Sequence, residues 1–91
     1  MEIEIYEETG EEVFSLPEYL TKYEYTKVIA ARGVQLAAGS LPKVNIKNNY
    51  DVLDIARREL HDRVISLVIK RKFPDGHFEV FSVKNMNIRD Y

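Results

Sequence analysis

The run Leu20-Thr21-Lys22-Tyr23-Glu24-Tyr25 fixes one end of a helix to a single residue. Thr21 is placed as the N-cap, its hydroxyl able to accept from the amide of Glu24. The Glu24 carboxylate can accept in turn from the amide of Thr21, which completes a capping box. Leu20 and Tyr25 stand where a hydrophobic staple closes over the cap. Val28, Ile29, Leu36 and Ala37 carry the helix to Gly39, placed to take the left-handed conformation that ends it. Ser40-Leu41-Pro42 then leads out, because a proline cannot extend the ladder. Tyr25, Ile29, Gly33 and Leu36 form an apolar stripe at helical spacing. Arg32 and Gln35 interrupt a surface otherwise made of small residues: Ala30, Ala31, Gly33, Ala37 and Ala38. Such a surface lets another element come close. Gly33 in mid-helix costs ~1 kcal/mol relative to Ala, so either close packing requires it or the position tolerates it.

The remaining punctuation predicts a small α+β domain. Val44-Asn45-Ile46 alternates like a short strand, and residues 47–50 read as a loop. Asp51 is a good N-cap for a second helix, Val52 to about Asp62, with Val52, Leu53, Ile55, Ala56 and Leu60 as its apolar positions. Asp54–Arg58 and Glu59–Arg63 have the spacing of ion pairs along that helix. Val64 to Ile69 is β-branched and apolar, hence a strand. Phe73-Pro74-Asp75-Gly76 is a turn: proline presets φ, aspartate caps locally and glycine takes positive φ. Phe78 to Val83 returns as the antiparallel partner. The expectation is two helices, a short strand and a C-terminal hairpin in one domain over residues 19–84. Residues 85–91 are read as a loose polar tail.

Charge is divided unevenly along the 91 residues. Residues 1–20 carry seven acids and no base, whereas residues 21–91 carry a net of +5. An acidic leader, residues 1–18, thus precedes a basic body. It is expected to be partly disordered, as termini are unless tied down. Ile3, Ile5, Val13, Phe14 and Leu16 are more apolar residues than a solvating tail needs, so part of it is expected to dock. A domain this small has a thin stability margin and gains from a partner. With no cysteine, neither a disulfide framework nor a Cys-based zinc site is available. No apolar run has the length of a membrane span. The leader lacks a signal-peptide profile, and an intracellular protein is expected.

Catalytic chemistry finds little support in the residues. His61 and His77 are the only histidines, and neither has a second at metal-ligand spacing. There is no Gly-x-Ser-x-Gly elbow and no phosphate-binding glycine loop. Asp51 and Asp54 are explained as a cap and a first-turn charge. No catalytic residue, metal or cofactor is expected. Direct nucleic-acid binding remains the alternative. Lys70-Arg71-Lys72 is the main basic cluster, and Arg57, Arg58 and Arg63 add charge. The chain nevertheless has no RRM, KH or zinc-finger signature. In a strand, Lys70, Arg71 and Lys72 cannot all share one face.

An ordered set of motifs resembles the omega-type subunit of multisubunit DNA-dependent RNA polymerases. That family includes bacterial omega and the small common subunit of archaeal and eukaryotic polymerases. Thr21-Lys22-Tyr23-Glu24, Arg32, Gln35-Leu36 and Gly39 look like its first-helix motif. Asp51, Ile55-Ala56 and Glu59-Leu60 look like its second helix. Ile69 with Arg71, and the turn Pro74-Asp75-Gly76, look like its closing hairpin. The chain departs from the pattern at Gly33, Val34, Ser40-Leu41-Pro42, Thr26-Lys27 and Ser66, which suggests a divergent lineage, viral or archaeal. The resemblance implies a non-catalytic subunit that binds the largest polymerase subunit and aids assembly, reaching nucleic acid only through the complex. Thr21, Tyr23, Glu24, Arg32, Gln35, Leu36, Gly39 and Arg71 are its expected partner-binding residues. It implies a cytoplasmic location in an archaeon, and the nucleus or a virus factory otherwise. Arg32→Ala is expected to weaken assembly more than the isolated fold.

Overall fold

The computed structural model describes residues 1–46 and 51–89. The expected loop at residues 47–50 and the end of the expected tail lie outside them. Five elements follow in order: β1 (Glu2–Glu7), α1 (Lys22–Ala37), α2 (Val52–His61), β2 (Leu67–Lys72) and β3 (Phe78–Ser82), with a 3-10 turn at Val83–Asn85. The strands form one antiparallel sheet in the order β1-β2-β3. This is the small α+β domain that the sequence predicts.

Helix α1 starts at the capping box, with both reciprocal bonds in place at 3.0 Å. It ends where Gly39 takes φ +106°. Helix α2 is capped by the Asp51 carboxylate, which accepts from the amide of Leu53 at 3.1 Å. The two helices meet at Gly33, where a Cβ would lie 2.8 Å from Leu53 Cδ2. An alanine there would have to push the Leu53 side chain aside, so the helices approach closely at this glycine. The core combines Leu20, Val28, Ile29 and Leu36 with Ile55, Ala56 and Leu60 of α2 and with Ile69 and Phe81 of the sheet.

Three segments differ from the sequence reading. The leader supplies a full strand: Glu2 pairs with Lys72, Glu4 with Lys70 and Ile5 with Ile69. Its apolar residues Ile3 and Ile5 pack on the core. Acids on β1 meet bases on β2, so charges that suggested a solvated tail attract it to the sheet instead. Beyond β1, Ser15 reaches the opposite edge of the sheet, its amide donating to Val80 O at 2.7 Å. Residues 44–46, in contrast, form no strand. Just before them the backbone serves buried side chains: Leu41 O accepts from Arg32, and the Lys43 amide donates to Glu59. Residues 85–89 of the expected tail are tied down, since Met86 is fully buried and Asn87 bridges to Tyr19.

Strand β2 also begins three residues later than expected. Arg63 takes φ +58° after α2, and the Val64 amide still bonds back to Glu59 O. The strand then runs through Lys70, Arg71 and Lys72 to the turn, with Arg71 bonded to Glu24, Lys72 to Glu4 and the Lys70 ammonium over the Phe78 ring. In that turn Gly76 has φ +95° and donates to Phe73 O at 3.0 Å. Asp75 accepts from the His77 amide, and the Phe73 and His77 rings stack at 4.2 Å.

Candidate docking surface

Helix α1 has three faces, each with a different task. One carries Ile29, Gly33 and Leu36 onto α2 and the core. A second carries Glu24, Val28 and Arg32, spaced by four, and is also buried. The third carries Tyr23, Lys27, Ala30, Val34 and Ala37, all exposed.

The buried charged face is held by two guanidinium–carboxylate forks. Arg32 donates from Nε to Glu59 Oε1 at 2.7 Å and from Nη2 to Oε2 at 3.3 Å. It also donates to Gln35 Oε1 and to Leu41 O. Arg71 donates from Nε and Nη2 to the two oxygens of Glu24, each at 2.7 Å. Glu18 and Tyr19 O take its remaining donors. Bidentate pairs of this kind are the strong, directional form of the interaction. Burial alone would raise the Glu24 pKa, but the Arg71 fork and the Thr21 amide outweigh it and hold the carboxyl below its ordinary value. The Glu24 hydrogen bond raises Arg71 in turn.

These contacts assign several expected docking residues to the interior. Glu24, Arg32, Leu36 and Arg71 are each at most 8% exposed. The polar groups of Glu24, Arg32 and Arg71 are engaged within the chain. Thr21 is spent on the cap. Gln35 links Arg32 to Glu7, which accepts from its Nε2 at 3.0 Å. Tyr23, in contrast, is 61% exposed, with the Lys27 ammonium over its ring. Gly39 is exposed beside Leu41, which is 85% exposed, and Val34 is 70% exposed. One accessible apolar surface is therefore the C-terminal end of α1, with Val34, Ala37, Ala38, Gly39 and Leu41, and Val13 and Leu16 of the leader are exposed as well.

The pairings expected along α2 also change. Asp54 bonds Arg57 at 2.8 Å rather than Arg58, and Arg58 reaches Asp62 at 3.8 Å. Glu59 turns inward to Arg32, and Arg63 donates to Met86 O. Glu59 was expected to pair with Arg63 on the helix surface, and Glu18 was not singled out from the sequence. Glu59 had a readable signal, for it falls on the buried period of α2 with Ile55, Ala56 and Leu60. Glu18 had none.

The basic cluster is spent within the chain as well. Arg71 points into the core, while Lys70 and Lys72 share the other face of β2 with Glu4 and Glu2 of β1. Lys72 bonds Glu4, and the Lys70 ammonium lies 4.2 Å over the Phe78 ring. The trio is not a phosphate track. His61 Nε2 lies 3.1 Å from the Tyr25 hydroxyl, and His77 bonds Asp75. Among the described residues no group of three or more His, Asp or Glu is arranged to hold a metal, and no helix is long and apolar enough to cross a membrane.

Comparison with known proteins adds a family. A sequence model described as RNA polymerase Rpb6 matches residues 16–67, which include both helices. The chain is 40% identical over 72 residues to the DNA-directed RNA polymerase subunit Rpo6 of Sulfolobus acidocaldarius, covering 77% of this chain and 81% of that one. It is 38% identical over 68 residues to the RPABC2 subunit of RNA polymerases I, II and III of Saccharomyces cerevisiae, covering 75% and 44%. A probable RPABC2 of Caenorhabditis briggsae is 34% identical over 73 residues, and the match spans 53% of its length. The chain thus corresponds to about half of its eukaryotic relatives and to most of the archaeal one.

Proposed function

Because this chain belongs to the RNA polymerase Rpb6 family, a family of polymerase subunits, we propose that it acts as a non-catalytic subunit that binds the largest polymerase subunit and supports assembly. Docking is assigned to the exposed end of α1, at Val34, Ala37, Ala38, Gly39 and Leu41, with Tyr23 and Gln35 at its margin. The observation that carries this surface is the exposure of Val34 and Leu41, 70% and 85%, on an otherwise small-residue helix end. Small side chains let a partner backbone approach, and two aliphatic residues supply burial of roughly 1.5–3 kcal/mol each when covered. Arg32, Glu24 and Arg71 contribute by holding α1 at a fixed angle to α2 and the sheet, so that the surface is preformed.

The test is co-purification of the full chain with the largest subunit of its polymerase. Val34→Glu and Leu41→Glu should each lower recovery about 10-fold while leaving the thermal midpoint of the isolated chain unchanged, since one unfavourable contact of ~1.4 kcal/mol has that effect. Full recovery of both variants would move the interface elsewhere. No recovery of any polymerase subunit by the unaltered chain would overturn the assembly role.

A further inference from the structure

A sheet of three strands has two edges, and the protein covers them differently. The outer edge of β3 is engaged at its centre: Val80 O accepts from the Ser15 amide, and the Val80 amide donates to Ser15 Oγ at 3.2 Å. The outer edge of β1 has no such cover among the described residues. Its hydrogen-bonding direction follows from the register. The Glu8 amide donates to Ser66 O at 3.1 Å, continuing the pairing of Glu2 with Lys72. In an antiparallel pair, alternate residues exchange both bonds and those between point away. Glu2, Glu4 and Tyr6 therefore bond to β2, while the N–H and C=O groups of Ile3, Ile5 and Glu7 point outward.

We propose that this edge accepts, as a fourth antiparallel strand, an extended polypeptide segment in which basic and β-branched apolar residues alternate. Two features beside the edge set that chemistry. On the helix side, β1 and α1 enclose an open groove of about 380 Å³, lined by Ile3, Ile5, Tyr23, Ala30, Ala31 and Val34. An added strand places every second side chain on this face, over the groove, where aliphatic residues are buried. On the other face Glu2 and Glu4 are exposed, and the intervening side chains would lie beside them. Lysine or arginine satisfies those positions, since opposite charges across a strand pair stabilise and like charges do the reverse. The inner neighbour of β1 already solves the same problem this way, with Lys70 and Lys72 against Glu4 and Glu2.

Charge also selects against a second copy of this chain. A symmetric antiparallel β1–β1 pair that keeps the isoleucines on one face sets glutamate against glutamate on the other. Strand addition supplies main-chain hydrogen bonds for affinity and alternate side-chain pockets for specificity. The strand edge itself, Glu2–Glu7, lies outside the family-matched residues 16–67, while the groove beside it shares Tyr23 and Val34 with the proposed docking surface.

The test uses a capped synthetic hexapeptide, Lys-Val-Lys-Ile-Lys-Val, added to the full chain at about 1 mM, a concentration that populates even a weak complex. Amide hydrogen exchange is read residue by residue. The peptide should slow exchange at Ile3, Ile5 and Glu7 about 10-fold, a change well resolved against local opening. The same peptide N-methylated at its valine and isoleucine amides, the ones that face β1 in this register, keeps its charge but cannot pair in it, and should give no protection. Glu-Val-Glu-Ile-Glu-Val should also give none. Absence of protection with the lysine peptide, or equal protection by the N-methylated one, would overturn strand addition. Equal protection by the glutamate peptide would overturn the basic partner. Protection without peptide, rising with protein concentration, would identify a second copy as the occupant and overturn the proposal. Failure to co-purify a polymerase subunit would leave all of these outcomes unchanged.

Discussion

Arg32 and Glu59 come from different helices, 27 residues apart, and meet with both carboxylate oxygens engaged. Two charges out of water are costly, and their mutual attraction repays that only when the geometry is good. Removing one partner is therefore much worse than removing both. Arg32→Ala should destabilise the isolated chain by about 3–5 kcal/mol, since it leaves Glu59 buried and unpaired. This reverses the expectation drawn from the sequence, in which Arg32 served assembly ahead of the fold. Arg32→Met with Glu59→Leu should recover most of the loss; urea unfolding of the single and double variants measures it. A double variant as unstable as the single one would mean that the pair contributes more than its replaceable charges.

Glu24 predicts a pH dependence from the same residue-scale logic. Its carboxyl titrates below the ordinary 4.5 in the folded chain, so the unfolded chain takes up the proton first. The Glu24 contribution is complete above about pH 4.5 and disappears as pH falls through the lower folded value. Glu4, Glu12 and Asp75 are lowered too, chiefly by hydrogen bonds from Lys72, the Thr9 hydroxyl and the His77 amide respectively, and they act in the same window. Glu4 and Asp75 are exposed and Glu12 half-exposed, and all three are screened by salt, so at roughly 0.5 M salt the remaining acid sensitivity belongs mainly to Glu24. Thermal midpoints from pH 7 down to pH 3 should fall most steeply below pH 4.5, and Glu24→Gln should flatten that fall. Ser82 presents the opposite case. Its hydroxyl is buried with no partner among the described residues. Ser82→Ala should raise stability by about 1 kcal/mol, the cost of an unmet hydroxyl, measured as a shift in the urea midpoint.

At the scale of elements, both helices were legible because their ends are written in local chemistry: Thr21 with Glu24, Gly39, and Asp51. The hairpin turn was legible for the same reason. What local rules could not assign was the partner of each charge. Glu24, Val28 and Arg32 sit at helical spacing, yet in sequence Glu24 reads as a cap and Arg32 as a docking residue, which hides their shared buried face. The alternation at Val44-Asn45-Ile46 was real but had no neighbouring strand to join. The same alternation at Glu2-Ile3-Glu4-Ile5 did have one, and only the long-range fold reveals which. Gly33 isolates an element-scale energy cleanly. Alanine there gains ~1 kcal/mol of helix propensity but meets the Leu53 methyl at 2.8 Å. Because Leu53 is 37% exposed, its side chain can swing aside at a cost that offsets the gain. Gly33→Ala alone should leave stability nearly unchanged. In a Leu53→Ala background it should stabilise by about 1 kcal/mol, the full propensity term. If both backgrounds gave the same change, helix contact would not be the reason for the glycine.

At the scale of the whole molecule, the division of charge becomes a contact. The leader is acidic and the body basic, and the fold lays one upon the other as β1 on β2. A charge count along the sequence could not distinguish this from a tail that repels order, because it does not say where Lys70 and Lys72 point. Their shared face is now opposite Glu2 and Glu4. Neutralising those acids without removing the strand should therefore uncover the basic body. Glu2→Gln with Glu4→Gln keeps the alternation of β1 and the packing of Ile3 and Ile5, and changes net charge by only two. The variant should elute from immobilised heparin at higher salt than the unaltered chain. The shift should exceed that of a control with two neutralised acids elsewhere, such as Glu11→Gln with Asp62→Asn, because counterion release depends on local phosphate-like contacts rather than on net charge. Equal shifts would mean that β1 does not shield the cluster. A larger shift with retained thermal stability would show that the acidic strand both completes the sheet and keeps a basic face from polyanions.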